Sequence, residues 1–181
     1  MKLCDITQFF TPTSGGVRRY LLSKAEYIRL GGEHQHILIL PGSKDSRAVN
    51  GPLTTYTIRS PRIPGTQSYR LLLRRDKIRE ILHKEHPDLL EVGDAYQLGW
   101  SAANMAHEMK LPVVSFYHSD YPRALGRTIK RFVWRGGSRT AEKWLRRYLL
   151  GLHNQMNATL VASKRMLDIL AGCGVKRLHL T

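Results

Sequence analysis

Short apolar runs alternate with stretches of helical spacing from one end of this chain to the other. Lys2 to Thr7 reads as a buried strand that ends at Gln8-Phe9-Phe10, followed by the breaker-rich Thr11-Pro12-Thr13-Ser14-Gly15-Gly16. Val17, Leu21, Ala25 and Ile28 then recur at four, four and three, one face of a helix, and Gly31-Gly32 supplies a left-handed stop. His36 to Leu40 is a continuous apolar run closed by Pro41-Gly42, the pattern of a parallel strand buried on both faces. Strand, glycine loop, helix and strand make one βαβ unit, which is right-handed in nearly every protein.

The alternation continues. Leu53 to Ile58 predicts a third strand, and Ser60 to Gly65 a loop. Arg74 to Glu85 predicts a basic amphipathic helix with Ile78, Ile81 and Leu82 inward, ending before Pro87. Asp88 to Val92 and Pro112 to Tyr117 are strands four and five, separated by a helix from Gln97 to Met109. Tyr121 to Gly137 is the least regular stretch. Ser138 to Met156 predicts a helix that turns Trp144, Leu145, Tyr148, Leu149 and Leu152 to the core. Ala158 to Ala162 is strand six, Ser163 caps a helix through Leu170 with a Gly172/Gly174 stop, and Arg177 to Thr181 begins a further strand. The fold class is therefore α/β, a doubly wound parallel Rossmann-like sheet, with its ligand site beyond the carboxyl ends of the strands. Those ends are Gln8 to Gly16, Pro41 to Arg47, Gly93 to Gln97 and His118 to Arg123.

With 181 residues the chain suits one such domain and is short for two. Hydrophobic residues at 42% and charged residues at 24% are globular values and argue against disorder. No apolar stretch approaches the roughly 18 residues needed to span a bilayer, and the first residues lack the long apolar region of a secretory signal. Cys4 and Cys173 cannot build a disulfide framework, which sets a reducing cytoplasm as the expected compartment. The histidines show no ligand spacing, so no metal is expected.

Charge changes the picture more. The net charge is +15, and two segments hold +14 of it: Arg59 to Arg79 with seven basic residues against Asp76, and Arg123 to Arg147 with nine against Glu142. A solvated face, a nucleic-acid surface and an anionic membrane all fit such runs. No RNP, zinc-finger or helix-turn-helix signature accompanies the charge. At roughly 1 kcal/mol per basic residue near a charged leaflet, Arg70, Arg74, Arg75, Arg127, Lys130 and Arg131 could hold the domain at the inner face of a membrane. Leu71, Leu72, Leu73, Phe132, Val133 and Trp134 would either insert shallowly or belong to the core.

Three groups sit where chemistry is expected. Gly15-Gly16 opens a helix directly after the first strand, where free backbone N–H groups and the positive helix end suit a phosphate; a plain flexible loop is the alternative. The spacing is not the dinucleotide fingerprint, so nicotinamide and flavin are poor candidates. His118 follows the fifth strand and is either a hydrogen-bonded structural residue or a ligand-facing one. Asp94 and Tyr96 occupy the same edge, as a turn former and a packing aromatic or as binding residues.

Taken in order, Phe10-Thr-Pro-Thr-Ser-Gly-Gly-Val-Arg-Arg-Tyr20, Gly31-Gly32-Glu-His34, Pro87-Asp88-Leu-Leu, Val114-Ser-Phe-Tyr-His118, Leu160-Val-Ala-Ser163 and Leu170-Ala-Gly-Cys-Gly-Val175 form one pattern. It resembles the amino-terminal, acceptor-side domain of retaining GT-B glycosyltransferases, family 4 type, of the glycogen-synthase-like and phosphatidylinositol-mannosyltransferase-like kind. The resemblance implies that Gly15 and Gly16 pack against the donor's diphosphate and that His118 faces the transferred sugar. It implies acceptor-side positions for Arg18, Asp94, Tyr96 and Arg123. The donor would be a nucleotide-sugar, with no other cofactor, and the acceptor a sugar, a lipid or a phosphorylated molecule. The resemblance also implies a second, nucleotide-binding domain beyond Thr181, without which the chain would not turn over. One departure stands out: strand four ends Glu91-Val-Gly-Asp94 where such enzymes often carry histidines. A basic nucleic-acid module, or another phosphate-handling Rossmann-like enzyme such as a sugar-nucleotide epimerase, is the competing expectation.

Overall fold

The computed structural model describes residues 1–11, 15–64, 66, 69–117 and 138–181, with backbone alone over 138–142. In chain order the elements are β1 (Lys2–Ile6), α1 (Gly15–Gly31), β2 (Gln35–Gly42), β3 (Ser46–Asn50), β4 (Leu53–Arg59), α2 (Arg75–Glu85) and β5 (Leu89–Val92). They continue with α3 (Gln97–Glu108), β6 (Val113–Tyr117), α4 (Ser138–His153), β7 (Ala158–Val161), α5 (Lys164–Gly172) and β8 (Leu178–Leu180). The strands form one sheet in the order β3-β4-β2-β1-β5-β6-β7-β8. Every neighbouring pair is parallel except β3 with β4.

Because side chains alternate across a strand, the sheet sorts its apolar residues into two clusters. Ile6, Ile39, Leu90 and Val92 face Leu82, Leu98, Met105, Leu149 and Leu152 in the larger one. Leu38 and Leu40 face Leu21 of α1 on the other side, with Phe10, Val17 and Tyr20 packed against them. This two-sided burial is why the central strands read as unbroken apolar runs rather than alternating ones. Gly32, at φ +69, ends α1 in the left-handed region where a side chain would strain the backbone, and its N–H bonds back to Ile28. Ser163 caps α5 by accepting the Met166 N–H at 3.4 Å.

Three expectations need correction. Pro41 to Arg47 is not an open loop on the ligand edge: Pro41 and Gly42 continue β2 against Ile58 and Arg59, and β3 begins at Ser46. Strand β3 escaped notice because all five of its residues are exposed, so it carries no apolar alternation; the Asn50-Gly51 turn was its only signal. Trp144 does not face the core. Leu145, Leu149 and Leu152 make the buried stripe of α4, while Trp144 is 59% exposed and stacks on Tyr148 with centroids 5.4 Å apart. One residue is about 100° of helix rotation, enough to carry Trp144 off that stripe. Of the Leu71–Leu73 run, Leu72 is core and Leu73 is exposed.

Candidate active-site edge

The direction of the chain reverses at the centre of the sheet. From β1 it passes to β2 on one side, and later returns to build β5 and β6 on the other, so β1 and β5 flank the switch point of the topology. A crevice at the carboxyl ends of the strands is expected there. Ile6 pairs with Val92, and Val92 with Ser115, so β1 and β5 end level with each other while β6, about 10 Å from β1, runs two residues further to Tyr117.

Gly15 and Gly16 are the first residues of α1, directly at this edge. Both are exposed, and among the described residues a Cβ built on either would meet no atom within 4 Å beyond its chain neighbours and its own helix. Packing among the described residues therefore does not require glycine at these positions. Their bare backbone leaves the first-turn N–H groups open to close approach by a ligand. Arg18 is exposed a little further along the helix, with its guanidinium 5.9 Å from the centre of the Phe10 ring.

Asp94 follows β5 and is buried, at 3% exposure. Its Oδ2 accepts the Gln8 backbone N–H at 2.9 Å, while Oδ1 has no hydrogen-bond partner among the described residues. Gln97 at the start of α3 donates to the Gln8 side chain at 2.9 Å, so β5 and α3 together clasp the segment leaving β1. Burial pushes the Asp94 carboxyl up to about 7, against the pull of its bonds to Gln8 and Thr7. The backbone of α3 comes so close that a Cβ on Gly99 would lie 2.4 Å from the Asp94 carbonyl oxygen. Tyr96 packs edge-on to Phe9 at 5.7 Å, and Phe9 to Tyr69 at 5.6 Å, which lines the crevice with aromatic rings. Burial, and then the Asp94 charge, raise the Tyr96 hydroxyl.

Gly15, Gly16, Arg18, Asp94 and Tyr96 thus belong to one edge of the sheet. His118 and Arg123, with Arg127, Lys130, Arg131, Phe132, Val133 and Trp134, lie outside the described residues. Tyr117, the residue before His118 in the chain, is the last of β6.

Much of the basic run before and within α2 is engaged by acids that the linear count could not bring near. Arg74 pairs with Asp45 at 2.9 Å and with Asp76 at 3.4 Å, Lys77 with Glu80 at 2.6 Å, and Arg79 with Glu108 at 2.5 Å. Arg70 donates to the Ser60 carbonyl at 2.6 Å. Arg75 is exposed, with no ion pair to a described residue.

Sequence reasoning missed a charged cluster beneath α1. The Lys24 ammonium lies 2.9 Å from Asp5 and 2.8 Å from Glu91, and the His36 Nε2 lies 2.6 Å from Asp5. The Tyr20 hydroxyl donates to Glu91 at 2.9 Å, and its ring stacks on Phe116 at 4.2 Å. Burial alone would raise Asp5, but the His36 hydrogen bond and the Lys24 charge outweigh it and hold the carboxyl down. Burial and the neighbouring Asp5 charge push Glu91 up to about 7 in spite of Lys24. The available signal was Asp5 and His36 inside strands that are otherwise apolar, since buried charges demand partners.

Comparison with known proteins agrees with this architecture. Over 178 residues the chain is 23% identical to a GDP-mannose-dependent alpha-mannosyltransferase of Corynebacterium glutamicum, covering 97% of this chain and 41% of that protein. It is 22% identical over 186 residues to the protein of the same description from Mycolicibacterium smegmatis, covering 99% of this chain and 46% of the relative. The chain therefore spans less than half the length of these relatives. Among solved structures, a sucrose-phosphate synthase fragment from Thermosynechococcus elongatus superposes with a TM-score of 0.56 at 11% identity, covering 99% of this chain and 87% of the other. UGT89C1 of Arabidopsis thaliana, complexed with UDP, gives 0.58 at 13% identity, with 99% and 50% coverage. The UDP-GlcNAc 2-epimerase of Methanocaldococcus jannaschii gives 0.55 at 14%, with 99% and 45% coverage, so likeness of fold alone does not separate transferase from epimerase. The family model does: Glycosyltransferase Family 4 matches residues 14–181, from the helix start at the switch point to the end of the chain, and this chain belongs to that family.

Proposed function

We propose that this domain is the acceptor-side half of a retaining glycosyltransferase that moves a sugar from a nucleotide-sugar to a sugar, lipid or phosphorylated acceptor. The observation that carries the reading is the exposed Gly15-Gly16 start of α1 at the switch point, glycine that no packing among the described residues requires. As a diphosphate leaves, the anomeric carbon gains positive character and charge collects on the departing oxygens. Backbone N–H groups aimed there stabilise charge that grows in the transition state. The acceptor hydroxyl attacks on the face from which the diphosphate departs, a phosphate oxygen takes its proton, and no protein nucleophile is required. Arg18, Asp94, Tyr96 and Arg123 serve the acceptor, and His118 acts as a hydrogen-bonding positioner of the sugar and the leaving phosphate. The relatives' descriptions make GDP-mannose the first donor to try.

Nuclear magnetic resonance of the 15N-labelled chain tests this. Pyrophosphate and GDP-mannose should each shift the Gly15 and Gly16 amides weakly and saturably, and Gly16→Val should abolish the response. Titration that moves surface arginine neighbours and leaves both glycines still would overturn the reading.

An anionic membrane is proposed as the second partner, through Arg70, Arg74, Arg75, Arg127, Lys130 and Arg131. Support comes from apolar residues exposed beside basic ones: Leu73 before Arg74 and Arg75, and Trp144 between Lys143 and the Arg146-Arg147 pair. No helix among the described residues is long and apolar enough to cross a membrane. Sedimentation with vesicles of anionic lipid should carry the chain down and Trp144→Ala should weaken it; equal binding to neutral vesicles would defeat the proposal.

A further inference from the structure

The inner side of α1 faces the sheet with Leu21 and Ile28 on the one hand and with Tyr20 and Lys24 on the other. Both polar residues tie the helix to β5, and each reaches one further strand. Lys24 reaches Asp5 on β1 and Glu91 on β5, two turns beyond the glycines. Tyr20 lies one turn from Gly16, about 6 Å along the axis, and it holds both sides of the crevice floor at once. Its hydroxyl donates to Glu91 on β5, three residues before Asp94. Its ring lies nearly parallel to that of Phe116 on β6, at 17°, two residues before His118 in the chain. The Lys24 ammonium sits 4.5 Å from the centre of the same ring, on which it adds a cation–π contact. The gap between Tyr20, Val17, Glu91, Gly93 and Phe116 leaves about 10 Å³, room for one water.

We propose that Tyr20 is a positioning residue, which sets the first turn of α1 against the ends of β5 and β6 and thereby fixes the spacing between the Gly15-Gly16 amides and the acceptor edge. The consequence for chemistry rests on the transferase reading above; the mechanical claim does not. A hydroxyl and a ring are both needed, because the first locates the helix on β5 and the second on β6. Phenylalanine at this position would keep the stack and lose the tie to Glu91.

Tyr20→Phe in the 15N-labelled chain is the test, read at three places: thermal stability, the Gly15 and Gly16 amides, and affinity for inorganic pyrophosphate. The Gly15 and Gly16 signals should move while those in the middle of α1 stay in place, and pyrophosphate should bind about fivefold more weakly, the order expected for one hydrogen bond. Glu91→Gln keeps an oxygen that accepts from Tyr20 and should retain the wild-type glycine signals. Unmoved glycine amides in Tyr20→Phe, or signals that move evenly along α1 in step with lost stability, would overturn the proposal. Should pyrophosphate leave even the wild-type glycines unmoved, the transferase reading fails, and the amide comparison among these variants still decides the role of Tyr20.

Discussion

Replacing Asp94 with asparagine should remove a cost that the native fold carries at neutral pH. The carboxyl is buried, one of its oxygens has no partner among the described residues, and its proton is held up to about 7 against an ordinary value of 3.8. A carboxyl raised on folding contributes its full stability only below the unfolded value, and loses it as pH climbs through the folded one. Between pH 5.5 and pH 8 that loss grows by about 2 kcal/mol: the unfolded carboxyl is already ionised, the native one holds its proton until about 7, and each pH unit between costs about 1.4 kcal/mol. For a domain of this size it corresponds to roughly 4–8 °C in melting temperature. The amide of D94N cannot ionise, so the stability of the variant relative to wild type should move in its favour by about 2 kcal/mol from pH 5.5 to pH 8. Glu91, also held near 7, titrates in both proteins and cancels in the difference. Urea unfolding at four pH values, followed by tryptophan fluorescence and checked for equal m-values, measures it. A difference constant with pH, or one that moves toward the wild type as pH rises, would refute the account of Asp94 as a buried, protonated acid. A carboxyl that lowers stability where the protein works is a mark of function, in accord with its proposed acceptor-side role.

Three other perturbations follow from the same packing. Lys24→Met leaves Asp5 and Glu91 buried without their ammonium and should cost about 3–5 kcal/mol at pH 8; calorimetry should show the deficit shrinking at pH 5.5, where Glu91 takes up its proton, and a deficit that grows there would be the wrong sign. Gly99→Ala drives a methyl to 2.4 Å from the Asp94 carbonyl and 3.2 Å from Leu152, so denaturation should show a loss of roughly 1–3 kcal/mol. Cys4 is buried and its thiol is pushed up by burial, whereas Cys173 is half-exposed; a thiol reagent should label one cysteine in the native chain and two in denaturant.

Local pattern carried a good deal of this protein. The parallel strands and the helices α1, α2, α3 and α5 follow the periodicity of their apolar residues, because an element buried on one stripe or on both faces must write that burial into its sequence. The family motifs were legible for a related reason, since glycine at the head of α1 and Ser163 at the head of α5 are choices made over a few residues at a helix start. Strand β3 was not legible: an edge strand exposed on both sides has no apolar rhythm to reveal it.

What chain order by itself determined was every element but the exposed β3 and, from their alternation, a Rossmann-like sheet with its ligand edge expected at the strand ends. Which charges meet was decided only by the tertiary structure. Asp45 and Glu108 lie 29 residues from Arg74 and Arg79, and Lys24 finds Glu91 from a helix and a strand that no local rule connects. Coulomb pairing in a low dielectric depends on distance in space, which periodicity does not encode. The buried Asp94 and the Tyr20 tie between two strands exist for the same reason: they are properties of what the folded chain brings together.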